Sequence, residues 1–262
     1  MDCEDVVYEI LKYLDPYNYK INKLWYRISM IDSLYQPYCA IDKVHTFKET
    51  AITCFKIKSL IKQCDLSTDV SSLYKEDILV IYSKKLKTLP EINLPNLKFL
   101  NLNDNDLTSI PEINLINLKY LSIDHNQVTH LQKLNTPKLK QLSLYYNQLT
   151  IFPKIEQLIN LTYLDLSQNR LIKLPKRVCR LINLKSLYLG NNQLIVLPSE
   201  IGQLTKLSSL SVLNNQLTTC PPEVGQLIQL RYLNLNENYL TVLPQEIKNL
   251  HIRELYVNLQ KN

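Results

Sequence analysis

The chain is 262 residues long, 45% hydrophobic and 21% charged, with a formal net charge of +6, the ordinary make-up of a globular protein able to bury a sizeable core. No apolar run approaches the roughly 18–20 residues that cross a bilayer, and the acidic start "MDCEDVVYEI" lacks the basic flank of a secretory signal, so a cytoplasmic protein with no membrane segment is expected. The three glycines (190, 202, 225) stand far apart, whereas a phosphate-cradling loop needs them close together, so no nucleotide cofactor is expected.

Residues 1–75 read as a small helical module, neutral with 10 basic and 10 acidic side chains. One amphipathic stripe runs through Val6, Ile10 and Leu14 with Val7 and Leu11, and a second through Ile21, Leu24, Trp25 and Ile28. "LDPYN" (14–18) separates them, because proline stops a helix and fixes the turn. A third stripe follows from Phe47 to Cys64, and "DLSTDVSS" then marks a boundary near 70–76.

The stretch "EILKYLDP" (9–16) resembles the core of the F-box, a helical module that docks on the Skp1 adaptor of cullin ubiquitin ligases. The resemblance implies that Ile10, Leu11, Leu14 and Pro16 face a Skp1-like adaptor, with Trp25 as the later tryptophan of the motif. Asp2 and Cys3 stand where that family opens with Leu-Pro. The alternative is a plain helical cap, since a solenoid must cover the exposed end of its core.

From residue 76 the chain repeats. The pattern L-x-x-L-x-L-x-x-N-x-L-x-x-L-P recurs from "LKFLNLNDNDLTSIP" (97–111) to "LRYLNLNENYLTVLP" (230–244), with five copies between, starting at 118, 139, 161, 184 and 207. A degraded copy at 76–90 has Lys84 at the asparagine position, and a truncated one at 252–262 has Gln260 there. A 21–23-residue unit cannot close a core alone, so the units are expected to stack short parallel strands over a continuous leucine column. Where each strand ends the backbone must turn, leaving buried groups in need of partners. Asparagine offers both donor and acceptor, and Asn105, Asn126, Asn147, Asn169, Asn192, Asn215 and Asn238 are expected to form a structural ladder there.

These seven copies are similar to the leucine-rich-repeat superfamily, which implies an α/β solenoid, a horseshoe with its strands on the concave face, over 76–262. "LPSEIGQLTKL" (197–207) and "CPPEVGQLIQL" (220–230) look like the intracellular subclass often found in Ras-binding scaffolds. That likeness implies a short returning helix with Ile201, Leu204, Val224 and Leu227 inward. The 21-residue copies lack two residues there, so an extended or single-turn return is expected in the first half and fuller helical turns in the second.

Nothing in the sequence assembles into a catalytic set. The four histidines (45, 125, 130, 251) are scattered without cysteine or carboxylate partners at metal-ligand spacing, so neither a metal site nor an enzyme is expected. The six cysteines form no CxxC pair and read as free thiols of a reducing compartment.

What remains is a surface for a protein partner. The variable strand positions bring Phe99, Tyr120, Asp124, Tyr145, Tyr163, Asp165, Tyr188, Tyr232, Asn234 and Tyr256 to the concave face. Tyrosine and asparagine suit an adaptable contact, tyrosine carrying apolar area at little entropic cost. Lys98, Lys119, Lys140, Lys185, Arg231 and Arg253 share another repeat position and should line one edge of the sheet. The concave carboxylates oppose nucleic acid there, so a solvated edge is expected.

The last strand, "RELYVNL" (253–259), offers a free edge for pairing with a second copy. The expected function is therefore a non-enzymatic protein binder, either an F-box-type substrate receptor or a scaffold or regulator of small-GTPase signalling. Abundant Tyr, Asn, Ile and Lys suggest AT-rich coding, as in a protist or a large DNA virus, whose cytoplasm would be that of its host.

Overall fold

A computed structural model describes residues 60–62, 64 and 76–260; the first two helical stripes, with Ile10, Leu11, Leu14, Pro16 and Trp25, lie outside the described residues. Leu60 and Cys64 are buried, and the Cys64 amide donates to the Leu60 carbonyl at 2.9 Å, one turn of helix.

Residues 76–91 and 95–262 form one compact unit. Its nine strands are β1 (Ile78–Val80), β2 (Phe99–Asn101), β3 (Tyr120–Ser122), β4 (Gln141–Ser143) and β5 (Tyr163–Asp165), then β6 (Ser186–Tyr188), β7 (Ser209–Ser211), β8 (Tyr232–Asn234) and β9 (Glu254–Tyr256). They make a single parallel sheet in strict sequence order. The register sets like on like, Leu100 beside Leu121, Leu142 and so on to Leu255. Each repeat position thus becomes a row across the sheet, one residue every ~4.8 Å.

Three residues suffice for each strand because the middle one does the burying. Leu100, Leu142, Leu164, Leu187, Leu210 and Leu233 are fully buried, and the leucine two residues on, or Val212 after Leu210, joins them in the core. Asparagines close each turn. Asn192 Nδ2 donates to the carbonyls of Leu166 (2.9 Å), Leu189 (3.1 Å) and Gly190 (3.3 Å), while its Oδ1 accepts from the Leu171 amide (2.9 Å). Asn126, Asn147, Asn169, Asn215 and Asn238 repeat this set. Asn105 reaches back to the degraded copy, donating to the Ile81 carbonyl and accepting from the Lys84 and Leu86 amides. Every ladder asparagine therefore ties its own turn to the one before it.

A second, outer ladder lies where the sequence reading placed nothing. Asn117, Asn160 and Asn183 each donate to a carbonyl of the preceding repeat (Pro95, Pro137 and Ile159, at 2.8–2.9 Å). Lys138 and Lys206 take over at the same position, each donating its ammonium to the Oδ1 of Asn117 and Asn183.

The residue before each ladder asparagine has a left-handed backbone: Asp104, His125, Tyr146, Gln168, Asn191, Asn214 and Glu237 all have φ between 50° and 55°. That region disfavours residues with a Cβ, asparagine and aspartate least. Asn191 is half-buried, and its Oδ1 accepts from Asn214 Nδ2 at 2.9 Å.

The returning segments are extended in the 21-residue units and helical in the 23-residue ones, with the two 22-residue units differing from each other. In the 21-residue units the return is extended and makes isolated parallel bridges, Ile110 to Leu131 and Ile113 to Leu134. In the three 23-residue units it is a five-residue 3₁₀ helix at Lys176–Arg180, Ser199–Gln203 and Pro222–Gln226; of the two 22-residue units, the later has a four-residue α-turn at Gln245–Lys248 and the one that starts at 139 returns through turns. The 3₁₀ form covers about 10 Å in five residues where an α-helix covers about 7.5 Å, so it bridges the back of the repeat with fewer residues. A proline starts each one with φ between −76° and −53°. Ile201, Leu204, Val224 and Leu227 point into the core. The glycines of "EIGQL" and "EVGQL" let successive turns touch: a Cβ on Gly202 would lie 2.8 Å from the Glu223 carbonyl oxygen, and one on Gly225 2.9 Å from that of Glu246.

Candidate functional site: the concave face of the sheet

The strand residues on either side of the buried leucine face away from the core, and with the position two further on they make three rows. Phe99, Tyr120, Tyr163 and Tyr232 are half-buried in the first row, and Asp165, Tyr188 and Asn234 in the second. The second row ends at Tyr256, which is exposed on β9. Asp124 and Tyr145 are in the third row, also half-buried.

The rings are grouped rather than spread. Phe99 packs on Tyr120 with centroids 6.1 Å apart, Tyr163 on Tyr188 at 5.6 Å, and Tyr232 on Tyr256 at 5.9 Å. Tyr145 meets His125 edge-on at 5.2 Å, Tyr146 stacks on His125 at 4.9 Å, and the two tyrosine rings are 6.2 Å apart. Such pairs hold each other in place, so little side-chain freedom remains to be lost on binding.

The polar members of the face do a structural job as well. Asn101, Asp165 and Asn234 hold equivalent places, and each accepts the amide two residues on: Asn103 at 2.9 Å, Ser167 at 2.8 Å and Asn236 at 3.1 Å. One row further, Asn103 Oδ1 accepts from the Asp124 amide and the Ser122 hydroxyl. Asp124 Oδ1 does the same for the Tyr145 amide and the Ser143 hydroxyl, and its Oδ2 accepts from Ser122. Burial pushes the Asp165 carboxyl above its usual range, against the pull of the Ser167 amide. Burial, with the neighbouring Asp165 and Tyr188, also raises the Tyr163 phenol.

The sequence reading began its rows at the first complete repeat and so missed β1 and its extension. Ile78, Val80 and Tyr82 occupy the three row positions there and are 55%, 49% and 54% exposed. Their alternation around buried Leu79 and Ile81 was the available signal. The edge row of cations is there too. Lys98 pairs with Asp77 at 3.1 Å, and Arg231 donates to the carbonyls of Ile228 and Leu230.

Among the described residues no group of three or more His, Cys, Asp or Glu is arranged to hold a metal ion, and no helix is long and apolar enough to cross a membrane. Cys179 and Cys220 are buried free thiols, and burial pushes both up to about 12, leaving almost no thiolate at neutral pH.

Comparison with known proteins agrees with this geometry. Family models of the leucine-rich repeat match residues 95–136, 137–176, 159–217 and 229–250. No curated protein matches the chain. Among solved structures, a leucine-rich-repeat protein of Leptospira interrogans is 38% identical over 67% of this chain, with a TM-score of 0.62. The chain spans only 46% of that protein. Internalin C2 of Listeria monocytogenes is 22% identical, covers 78% of this chain and 92% of its own, and has a TM-score of 0.64, a likeness of fold alone. The ladder, the leucine column and the four matched stretches have one source: the chain belongs to the leucine-rich-repeat superfamily.

Proposed function

We propose that the chain is a non-enzymatic binder that holds a protein partner on its concave face. Leucine-rich-repeat proteins generally mediate protein–protein contacts. The observation that carries the reading here is the set of paired, half-exposed rings on one face of the sheet. Pre-ordered aromatic side chains are what interface hot spots are made of. The outer side also exposes apolar residues, Ile116, Ile159, Ile182 and Ile228 at 52–71%, which share one repeat position beside the outer asparagine ladder and carry no rings. The test is capture of the partner on the full chain by the unaltered protein, by Tyr120→Ala/Tyr232→Ala, and by Ile159→Ser/Ile182→Ser. Loss in the first variant alone is expected. Loss in the second alone would move the site to the outer side.

The F-box likeness of residues 9–16 supports a finer form of this reading, in which the repeat selects a substrate and Ile10, Leu11, Leu14, Pro16 and Trp25 engage a Skp1-like adaptor of a ubiquitin ligase in the cytoplasm. Leu14→Asp would set an unpaired charge into an apolar contact and is expected to abolish adaptor binding. An unaltered chain that ignores the adaptor at micromolar concentration would leave the other form, a scaffold or regulator of small-GTPase signalling. That form rests on the "LPSEIGQL" and "PPEVGQL" segments. The three exposed residues of β9 support pairing with a second copy, which sedimentation at rising concentration tests; a single monomeric species throughout would exclude it.

A further inference from the structure

Asp165 carries a charge that its place in the fold does not call for. Asn101 and Asn234 hold the equivalent places in their repeats and cap the same backbone amide with a neutral oxygen. At β5 alone the cap is a carboxylate, half-buried, and no ion pair reaches it among the described residues. A partly desolvated charge without a counter-charge is unfavourable, so the fold bears a cost here that asparagine would remove.

The surroundings suit a counter-charge brought from outside. The Tyr163 and Tyr188 rings, 5.6 Å apart and inclined at 53°, belong to the same two neighbouring strands as Asp165, and Tyr188 is its register partner. The Tyr163 hydroxyl leans on Asp165 Oδ2 at 3.4 Å, a weak contact that leaves this oxygen able to accept more. In the third row the neighbours are Ser167 and Gly190, the two smallest side chains of that row, between Tyr145 and Leu213. A Cβ on Gly190 would make only ordinary contacts, 3.4 Å from the Leu213 carbonyl oxygen and 3.6 Å from its Cβ, so the backbone accepts a side chain there and a long one would fill the space the glycine leaves. Asp124 adds a second negative field on the same face, again where the preceding repeat uses neutral Asn103 for the same backbone contact.

We propose that β5 and β6 form a receptor site for one cationic side chain of the protein partner, an arginine or lysine, with Asp165 as its counter-charge and the Tyr163 and Tyr188 rings as its walls. A guanidinium or ammonium there gains the carboxylate at short range and the negative faces of two rings at once. Among the described residues no Lys or Arg pairs with Asp165, so the counter-charge is assigned to the partner. The inference rests on the concave-face reading and gives it a chemistry.

The probe is a blocked arginine peptide, acetyl-Gly-Arg-Gly-amide, titrated into the full chain while the ring resonances of Tyr163 and Tyr188 are followed. The control peptide carries citrulline, nearly the same shape without the charge. Saturable shifts with arginine, and at least tenfold weaker ones with citrulline, are expected. Asp165→Asn should weaken the arginine response at least fivefold while holding or raising the melting temperature. The sign follows from a carboxyl whose folded pKa lies above its unfolded one: its charged form disfavours the fold at neutral pH, and the difference closes as pH falls below the carboxylate range. Gly190→Leu should block the response with Asp165 intact. Equal shifts with citrulline, or an arginine response that survives Asp165→Asn, overturn the proposal. In the capture experiment, a partner kept by Asp165→Asn but lost by Tyr120→Ala/Tyr232→Ala overturns it and leaves the concave reading standing. A partner kept by every concave variant overturns both.

Discussion

Asn192→Ala is expected to cost the fold about 2–3 kcal/mol, and the amount follows from counting what the side chain leaves behind. The carbonyl of Leu166 loses one donor but keeps Asn169 at 3.1 Å, and that of Leu189 keeps Asn215 at 3.0 Å. The Gly190 carbonyl keeps the Gln168 amide at 2.8 Å. Only the Leu171 amide, which donated to Asn192 Oδ1, is left buried with nothing to bond. One orphaned donor at about 1–3 kcal/mol, with some lost packing, sets the estimate. Asn192→Asp should be worse at neutral pH although it keeps an acceptor for Leu171. It loses three donated bonds and sets a charge among carbonyl oxygens, so its deficit should shrink in acid as the introduced carboxyl takes up a proton. Urea unfolding at pH 7 and pH 4 measures both. Hydrogen exchange should show the loss concentrated in the repeats on either side, because stacked repeats couple to nearest neighbours. An alanine variant as stable as the unaltered chain would mean that water replaces the side chain at that turn.

Repetition explains what was legible in the sequence. The leucine column and the Asn105–Asn238 ladder are needs of every repeat, so each position is read seven times and one exception such as Lys84 does not obscure it. The outer ladder was harder to see because more than one residue type fills it, Asn117, Asn160 and Asn183 interrupted by Lys138 and Lys206. The left-handed turn position gave only a mixed sign. Asp104, Asn191 and Asn214 suit positive φ, but Tyr146, Gln168 and Glu237 do not advertise it as glycine would, and the backbone is held there by the ladder together with amides that donate to the next repeat, such as Gln168 to the Gly190 carbonyl. The candidate site was half legible. Alternation placed its rings on one face, but their pairing and the double duty of Asp124 and Asp165 depend on which side chains meet across repeats. A binding site is a departure from the period, such as Asp165 among asparagines or Gly190 among larger residues, and periodicity averages departures away.

The second large effect separates binding from folding. Tyr120→Ala with Tyr232→Ala is expected to weaken partner binding by roughly 1–3 kcal/mol for each anchor removed, about fivefold to 150-fold in affinity per anchor. The melting temperature should fall only slightly. Both rings are half-exposed, and what they lose inside the protein is one ring contact each, Phe99 at 6.1 Å and Tyr256 at 5.9 Å, worth about 0.5–1.5 kcal/mol. Tyr232 also gives up the Asn234 amide that donates to its hydroxyl at 3.3 Å, but Asn234 keeps the Asn236 amide through its own oxygen. The core leucines beneath, Leu121 and Leu233, stay covered by the backbone of the sheet. Thermal melts and a binding titration on the same protein therefore give opposite answers for this variant and for Asn192→Ala, whose concave surface is intact while its turn is broken. If the tyrosine variant melts as early as Asn192→Ala, the rings belong to the fold and the partner must be sought on the exposed Ile78–Tyr82 segment or on the outer side.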